Sequence, residues 1–333
     1  MVSTTSHRSW AALLGMAAGV TAFGLVGSAV HASAIASDNA GNYTASLSTG
    51  STGGTGFGSW TVLASNNGST SYAGTYLDTS GQAIAVAPSK NTWGVYANSG
   101  TASNTPTPRI DLFRPFTGAL ASGQTFSAAM DSGNVGSDVY GTPPTYHGDG
   151  IPALGFSLQT GSAATVTAGT TPMTVGSSSY STGSFTNPNA VFTFSLTTLA
   201  VGETLNGQKY SGASGSYGME TNITDATGTH STLSGLTGPQ IAAGVTAAFS
   251  LGSASTYTLT LSSVGATPKV LDTYTGTVSS TSPINGVDLF GQATGSNGYF
   301  NSLQVTAVPE PATMGLFLAA GAGLLLVRRR RAV

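Results

Sequence analysis

Hydrolysis of a glycosidic bond needs two carboxyl groups flanking the scissile oxygen, one as acid and the other as base or nucleophile. Between residues 35 and 307 the sequence has only two glutamates, Glu203 and Glu220. Glu203 follows Gly202 and Glu220 stands two residues after Gly218, each in a turn-rich stretch, and each is expected to be a loop residue at the surface. No E-x-D-x-x-E run, which would line carboxylates along one face of a strand, occurs. A serine hydrolase would need a G-x-S-x-G elbow with a histidine partner. The elbow is absent, and His147 and His230 are the only histidines beyond residue 34.

Asp131, Asp138 and Asp149 lie in "MDSGNVGSD" (130–138) and "YHGDG" (146–150), where Asp, Asn and carbonyl groups supply the hard oxygens that calcium takes. Their offsets miss the D-x-[DN]-x-[DN]-G loop, so they read as turn residues; no metal and no cofactor is expected. "STGGTGFG" (51–58) is glycine-rich but lacks both a following lysine and a helix, so it reads as a flexible surface loop and not a phosphate cradle. Trp60, Trp93, Tyr72, Tyr76 and Tyr146 have the rings to stack on sugars. Trp60 and Trp93, however, share alternating stretches with Val62 and Val95 and are expected in the core. With no cysteine in 333 residues, disulfides, thiol nucleophiles and Cys-based zinc sites are excluded.

Charge narrows the partners. Charged residues make up 7% of the chain, against roughly 25% in an ordinary soluble domain, so solubility rests on hydroxyl groups. Between residues 35 and 307, five basic residues (Lys90, Arg109, Arg114, Lys209, Lys269) face eleven acidic ones. An acidic body without a basic stripe excludes nucleic acid as a partner.

The elements that must position these groups are strands. In "TFSAAM" (125–130), "VFTFSL" (191–196) and "TYTLTLSSV" (256–264) apolar and small polar residues alternate, the period of a half-buried strand. Similar stretches recur near residues 43, 60, 84, 93, 110, 164, 245, 272, 287 and 299, separated by turn formers such as "SNNGS", "NPN" and "SNG". The best helix candidate in this region is the short "GPQIAAGVTAAF", weakened by two glycines. At least a dozen strands without alternating helices predict an all-β, antiparallel two-sheet sandwich over 35–307. One domain is expected; a split near 141–150 or 206–222 is the alternative.

The two ends differ from the body. The first 34 residues have a polar head with Arg8, an apolar run over 11–30, and then Ala32, Ser33 and Ala34, the parts of a signal peptide cut after Ala34. The apolar run is long for a signal core, which keeps an uncleaved anchor helix as the alternative. At the other end, Pro309 and Pro311 hold the chain extended or turned around Glu310. The uncharged stretch 312–327 is then about 24 Å of helix at about 1.5 Å per residue, a short span for a hydrocarbon core of about 30 Å. Arg328, Arg329, Arg330 and Arg331 extend its reach by snorkelling, and by the positive-inside rule they stay cytoplasmic and leave the body outside.

Val308, Pro309, Glu310, Pro311 and Ala312, followed by the apolar stretch and the arginine cluster, resemble the PEP-CTERM protein-sorting domain over about 26 residues. The resemblance implies a substrate of a membrane-embedded exosortase in bacteria that export polysaccharide, reached through the Sec translocon. Pro309, Glu310 and Pro311 would be the recognition motif, 312–327 a temporary anchor and Arg328–Arg331 the stop-transfer charge. A permanent C-terminal tail anchor is the alternative. Segments 1–34, 35–307 and 308–333 would thus be signal helix, body and sorting segment with a single transmembrane helix.

Within the body, "SWTVLASN", "TWGVYANSG", "RPFTGALASGQTFSAAMDSGNV", "GFSLQT" and "GVDLFGQATGSNGYFNSLQV" resemble concanavalin A-like jelly-roll modules of exported proteins. That implies a jelly-roll fold and says nothing of activity. The expectation is an exported, non-enzymatic protein of the cell surface or exopolysaccharide matrix. A lectin-like polysaccharide-binding module is the second reading and an unrecognised glycan-active enzyme the third.

Overall fold

Alternation becomes burial in the strands of the computed structural model, which describes residues 33–65, 72–79, 91–98, 109–131, 153–161, 171–175, 178–182, 187–200, 204–205, 208–209, 211, 217–234, 244–265, 267–292 and 297–307. The leader up to Ala32 and the sorting segment 308–333, with both expected helices, lie outside the described residues. So do the strands expected near residues 84 and 164.

The first nine strands are β1 (Ser33–Asp38), β2 (Thr61–Ser65), β3 (Tyr72–Asp78), β4 (Thr92–Asn98), β5 (Arg109–Leu120), β6 (Gln124–Asp131), β7 (Ala153–Thr160), β8 (Thr171–Val175) and β9 (Ser178–Thr182). Then come β10 (Ala190–Ala200), β11 (Thr204–Leu205), β12 (Gln208–Lys209), β13 (Tyr217–Asp225), β14 (Gly228–Ser234) and β15 (Val245–Leu251). The last four are β16 (Thr256–Ser263), β17 (Val270–Thr277), β18 (Ile284–Gln292) and β19 (Gly298–Ala307). An eight-stranded sheet runs β17-β16-β15-β6-β19-β4-β3, with β1 beside β19; a nine-stranded sheet runs β14-β13-β10-β7-β18-β5-β2-β9-β8. Strands β11 and β12 pair separately. Pairing is antiparallel except for one parallel bridge between Ser65 and Ser181. The chain is therefore an all-β protein with two antiparallel sheets, in agreement with a jelly-roll sandwich.

One apolar core includes residues from Ala36 to Val305. In β16 the side chains of Tyr257, Leu259 and Leu261 are buried while Thr258 and Thr260 turn outward. Rings join the two sheets: Phe126 of β6 meets Phe156 of β7 edge-on at 5.2 Å, and Phe192 of β10 lies 4.6 Å from Phe249 of β15. Each such pair adds about 0.5 to 1.5 kcal/mol beyond the area it buries. Trp60 and Trp93 are buried as expected and meet edge-on at 5.5 Å.

Three expectations about local structure are corrected. Residues 43–47 form no strand; a 3-10 turn at Ala40–Asn42 precedes them, and Tyr43 and Leu47 reach the core from irregular chain. The segment "GPQIAAGVTAAF" ends in strand β15, because tertiary pairing with β6 and β16 overrides its weak helix preference. The 51–58 loop is pinned and not free. Thr55 exchanges backbone hydrogen bonds of 2.8 and 2.9 Å with Ser37, and Gly54 sits at φ +64°, where a Cβ would collide with the Ser37 carbonyl.

What holds that loop is a buried charge. Arg114 of β5 is fully buried. Its Nη1 donates to Asp38 Oδ2, Nη2 to the Gly53 carbonyl and Nε to the Gly58 carbonyl at 3.0 Å. The guanidinium lies 4.7 Å from the Trp60 ring and 4.8 Å from that of Phe57. Asp38 also accepts from Tyr43 Oη at 2.6 Å and from Asn42 Nδ2 at 2.7 Å, and Trp60 Nε1 donates to Tyr43 Oη at 2.8 Å. Burial and the bond to Asp38 push the Tyr43 hydroxyl well above its ordinary value.

The last strand changes neighbour along its length. Gly298–Phe300 of β19 pair with β4, and Leu303–Ala307 pair with β1. A bulge at Asn301–Gln304 makes the exchange, with Ser302 at φ +53°. Asn301 fixes it: its Oδ1 accepts from Ala40 N at 3.0 Å and Ser302 N at 2.9 Å, and its Nδ2 donates to the Asn91 carbonyl at 2.9 Å.

Candidate functional site

The centre of the nine-stranded sheet is buried on both faces. Seven of the eight residues of β7 are buried, and so are seven of nine in β18. One face carries Leu112, Phe156 and Leu289 into the core. Because side chains alternate, the residues between them build a second face, and it is polar. Asp288 stands opposite Phe113 and Ser157; Phe290 stands opposite Asp111 and Gly155. Further out, Ser157 is opposite Thr193, Ser195 opposite Asn222, and Thr197 opposite Glu220. Hydroxyl and amide groups pair across strands: Ser157 Oγ with Thr193 Oγ1 at 2.9 Å, and Ser231 Oγ donating to Asn222 Oδ1 at 2.6 Å.

Two aspartates meet there through a repeated pattern. "IDLF" at 110–113 and "VDLF" at 287–290 lie on antiparallel neighbours β5 and β18, in register at Leu112 and Leu289. That register sets each aspartate opposite the other strand's phenylalanine and makes Asp111 and Asp288 diagonal neighbours on the same face. Both are fully buried. Arg109 grips Asp111 through Nε at 2.8 and 3.0 Å and Nη2 at 2.7 Å. It stays 3.8 Å from Asp288, lies 4.2 Å from the Phe290 ring and donates to Gln292 Oε1 at 3.3 Å. Asn187 Nδ2 donates to Gln159 Oε1 at 2.8 Å at the other end of the group.

Burial alone would draw the Arg109 guanidinium down, but Asp111 and Asp288 outweigh it and hold it above its ordinary value. Burial pushes Asp288 well above the carboxylate range, and the negative Asp111 pushes it further. A neutral acid beside a carboxylate on one face can share a proton with it.

The structure places the expected site residues unevenly. Glu220 is corrected: it is a fully buried residue of β13, not a surface loop residue. Gly218, two residues before it, is part of the same strand. Asp131 is corrected as well, being the buried last residue of β6 opposite Tyr299 and not a turn residue. His230 is exposed on β14, 3.6 Å from Asp225, and shares the Thr227 hydroxyl at 2.7 Å. Burial raises Asp225, but bonds from Thr227 and Tyr257 and the nearby His230 bring it below the ordinary value. Thr227 gives its proton to Asp225, so this trio is a hairpin cap and not an activated nucleophile. Ala34 lies in β1 opposite Thr306. Glu203, Asp138, Asp149, His147, Tyr146, Ala32, Val308–Ala312 and Arg328–Arg331 lie outside the described residues.

Sequence reasoning missed Arg109, Asp111 and Asp288 as a group. The signal was present as an aspartate inside an apolar strand pattern, twice, in matching four-residue contexts.

No protein-family model matches the chain, and neither does any curated protein. Among solved structures it is similar to a legume lectin-like domain from Entamoeba histolytica, at 7% identity and a TM-score of 0.34, over 68% of this chain and 88% of that one. It is also similar to the cellulose induced protein Cip1, at 12% identity and a TM-score of 0.29, over 75% and 91%. A third is a beta-porphyranase from the human gut bacterium Bacteroides plebeius, at 9% identity and a TM-score of 0.27, over 77% and 94%. These overlaps are loose, and the two-sheet architecture rests on the strand pairing itself.

Proposed function

We propose that this is an exported protein of the cell surface or exopolysaccharide matrix, handed to an exosortase by its C-terminal segment and without catalysis of its own. The observation that carries the reading is the order Pro309-Glu310-Pro311, uncharged stretch, Arg328–Arg331. The fold is compatible with processing at both ends. Ser33 pairs with Ala307, so the first and last described residues of the body lie side by side, and neither cut removes a core strand. A cut after Ala34 would take two residues from β1 and leave Ala36, Ser37 and Asp38 paired with β19.

Glu310→Ala tests it. In the native host the variant is expected to stay anchored with its C-terminal segment intact, read by membrane fractionation and intact mass. Normal release and a normal C-terminus in the variant would end the exosortase reading, and a parent that itself stays in the membrane with its C-terminal segment intact would leave the permanent tail anchor.

A second reading, a lectin-like role toward a neutral polysaccharide, is favoured by the outer face of the eight-stranded sheet. Thr275, Thr258, Ser250, Thr125 and Thr306 stand side by side on β17, β16, β15, β6 and β19, and all have solvent access. Ser250, Thr258 and Thr275 also line a hollow of about 480 Å³ with Tyr257 and Gly276. A hydroxyl row without charge suits an uncharged glycan. Thr258→Ala with Thr275→Ala should weaken retention on a neutral glycan array about tenfold, the worth of one or two hydrogen bonds. Equal retention of variant and parent would remove this face from the reading.

A further inference from the structure

We propose that Asp111 and Asp288 hold a single proton between them and act as a pH-sensitive latch on the polar face of the nine-stranded sheet, closed while Asp288 is neutral and loosened when it ionises. The geometry assigns the two roles. Arg109 engages both oxygens of Asp111 through Nε and one again through Nη2, at 2.7 to 3.0 Å, so Asp111 keeps the negative charge. Asp288 is left with that guanidinium at 3.8 Å and, as a carboxylate, with neither oxygen in a standard hydrogen bond although both are buried. An ionised carboxylate in that position would face another carboxylate across one shared cation. A protonated Asp288 instead gains a donor, and Asp111, its diagonal neighbour on the same face and bound to the same guanidinium, is the acceptor that the register sets beside it. Protonation satisfies both groups at once.

Among the described residues on this face, no second cation stands beside the pair. On this face β5 contributes Arg109, Asp111 and Phe113, β18 contributes Phe290 and Gln292, and β7 contributes Ser157 and Gln159. Ser157 is already paired with Thr193. Asn187, just before β10, assists the ionised form of Asp288 but is outweighed by burial and by Asp111. Among the described residues, Arg109 is the one cation here, and its net effect with two ionised aspartates is a buried negative charge.

The sign follows from linkage. The folded state binds the Asp288 proton more tightly than an unfolded chain, whose carboxyl titrates near 3.8. The contribution to stability is therefore complete below that value. It declines as pH rises from there toward the raised folded value, and beyond it the penalty is constant. Repulsion of the pair acts across β5 and β18, which carry Asp111 and Asp288, and reaches β7 through its pairing with β18 at Ser157 and Asp288.

The test uses the full chain in detergent micelles. The carbonyl stretch of a protonated carboxylic acid, followed by infrared spectroscopy, is expected at neutral pH in the parent and absent in Asp288→Asn. The denaturation midpoint of the parent should fall as pH rises above the acid range, while Asp288→Asn, which copies the neutral acid, should hold a flatter midpoint and exceed the parent at alkaline pH. Amide hydrogen exchange at Gly155–Ser157, corrected for the intrinsic pH dependence, should rise with pH in the parent alone. A parent without the acid band at neutral pH, or a variant with the parent's pH slope, overturns the proposal. If Asp288→Asn does not fold, the infrared band and the exchange profile of the parent decide the matter.

Discussion

Asp38→Ala is expected to destabilise the body by about 3 to 5 kcal/mol, the cost of stripping one partner from a buried ion pair. Arg114 has no solvent access, and its charge is balanced at Asp38 while two of its donors go to the Gly53 and Gly58 carbonyls. Removing Asp38 leaves a guanidinium that can neither reach water nor lose its proton. The same substitution takes an acceptor from Tyr43 and Asn42, so β1 and the 51–58 loop should loosen together. Replacing both partners, Asp38→Leu with Arg114→Met, should recover much of the loss, because an apolar pair of similar volume avoids the desolvation penalty. Urea denaturation followed by tryptophan fluorescence reads both, since Trp60 lies against Arg114. A single variant as stable as the parent would show that Arg114 is not held by this charge.

Gly155→Ala is the second large effect, at about 3 kcal/mol or more for forcing atoms into a filled space. Gly155 of β7 lies opposite Ser195 of β10, and a Cβ there would sit 1.9 Å from the Phe194 carbonyl oxygen and 2.6 Å from the Ser195 Cα. Those are backbone atoms of a central strand and cannot swing aside as a side chain would. Gly118→Ala is the control: a Cβ there meets nothing within 4 Å, so its midpoint should stay within about 0.5 kcal/mol of the parent. Equal midpoints for the two variants would mean that β10 can move and that the β7–β10 contact is looser than drawn.

Much of the fold was legible because alternation is a local property. Tyr257, Leu259 and Leu261 fall every second residue, and burying them forces Thr256, Thr258 and Thr260 outward whatever the partner strand. Strands whose pattern is blurred were harder to read. "YGMETNITD" became β13, although Gly218 and Glu220 suggested a turn. Glu220 is tolerated there because the second face of the nine-stranded sheet is itself polar and buried, a feature that no single strand announces. For the same reason Asp111 and Asp288 read as polar positions of ordinary strands. Their two contexts match, but only pairing of β5 with β18 in register at Leu112 and Leu289 brings the carboxyl groups together.

By itself the sequence determined the class of the body, the absence of thiol chemistry, the low-charge, hydroxyl-rich composition, and the order of Pro-Glu-Pro, apolar stretch and arginines over 309–331. Each of these depends on composition or on neighbours a few residues apart. The tertiary structure decided which charges are buried and with whom: Arg114 on β5 finds Asp38 in β1, 76 residues away, and Asp288 finds Asp111 from the far end of the chain. Such pairs cost free energy unless geometry satisfies them. That geometry exists only once strands distant in sequence have been set side by side.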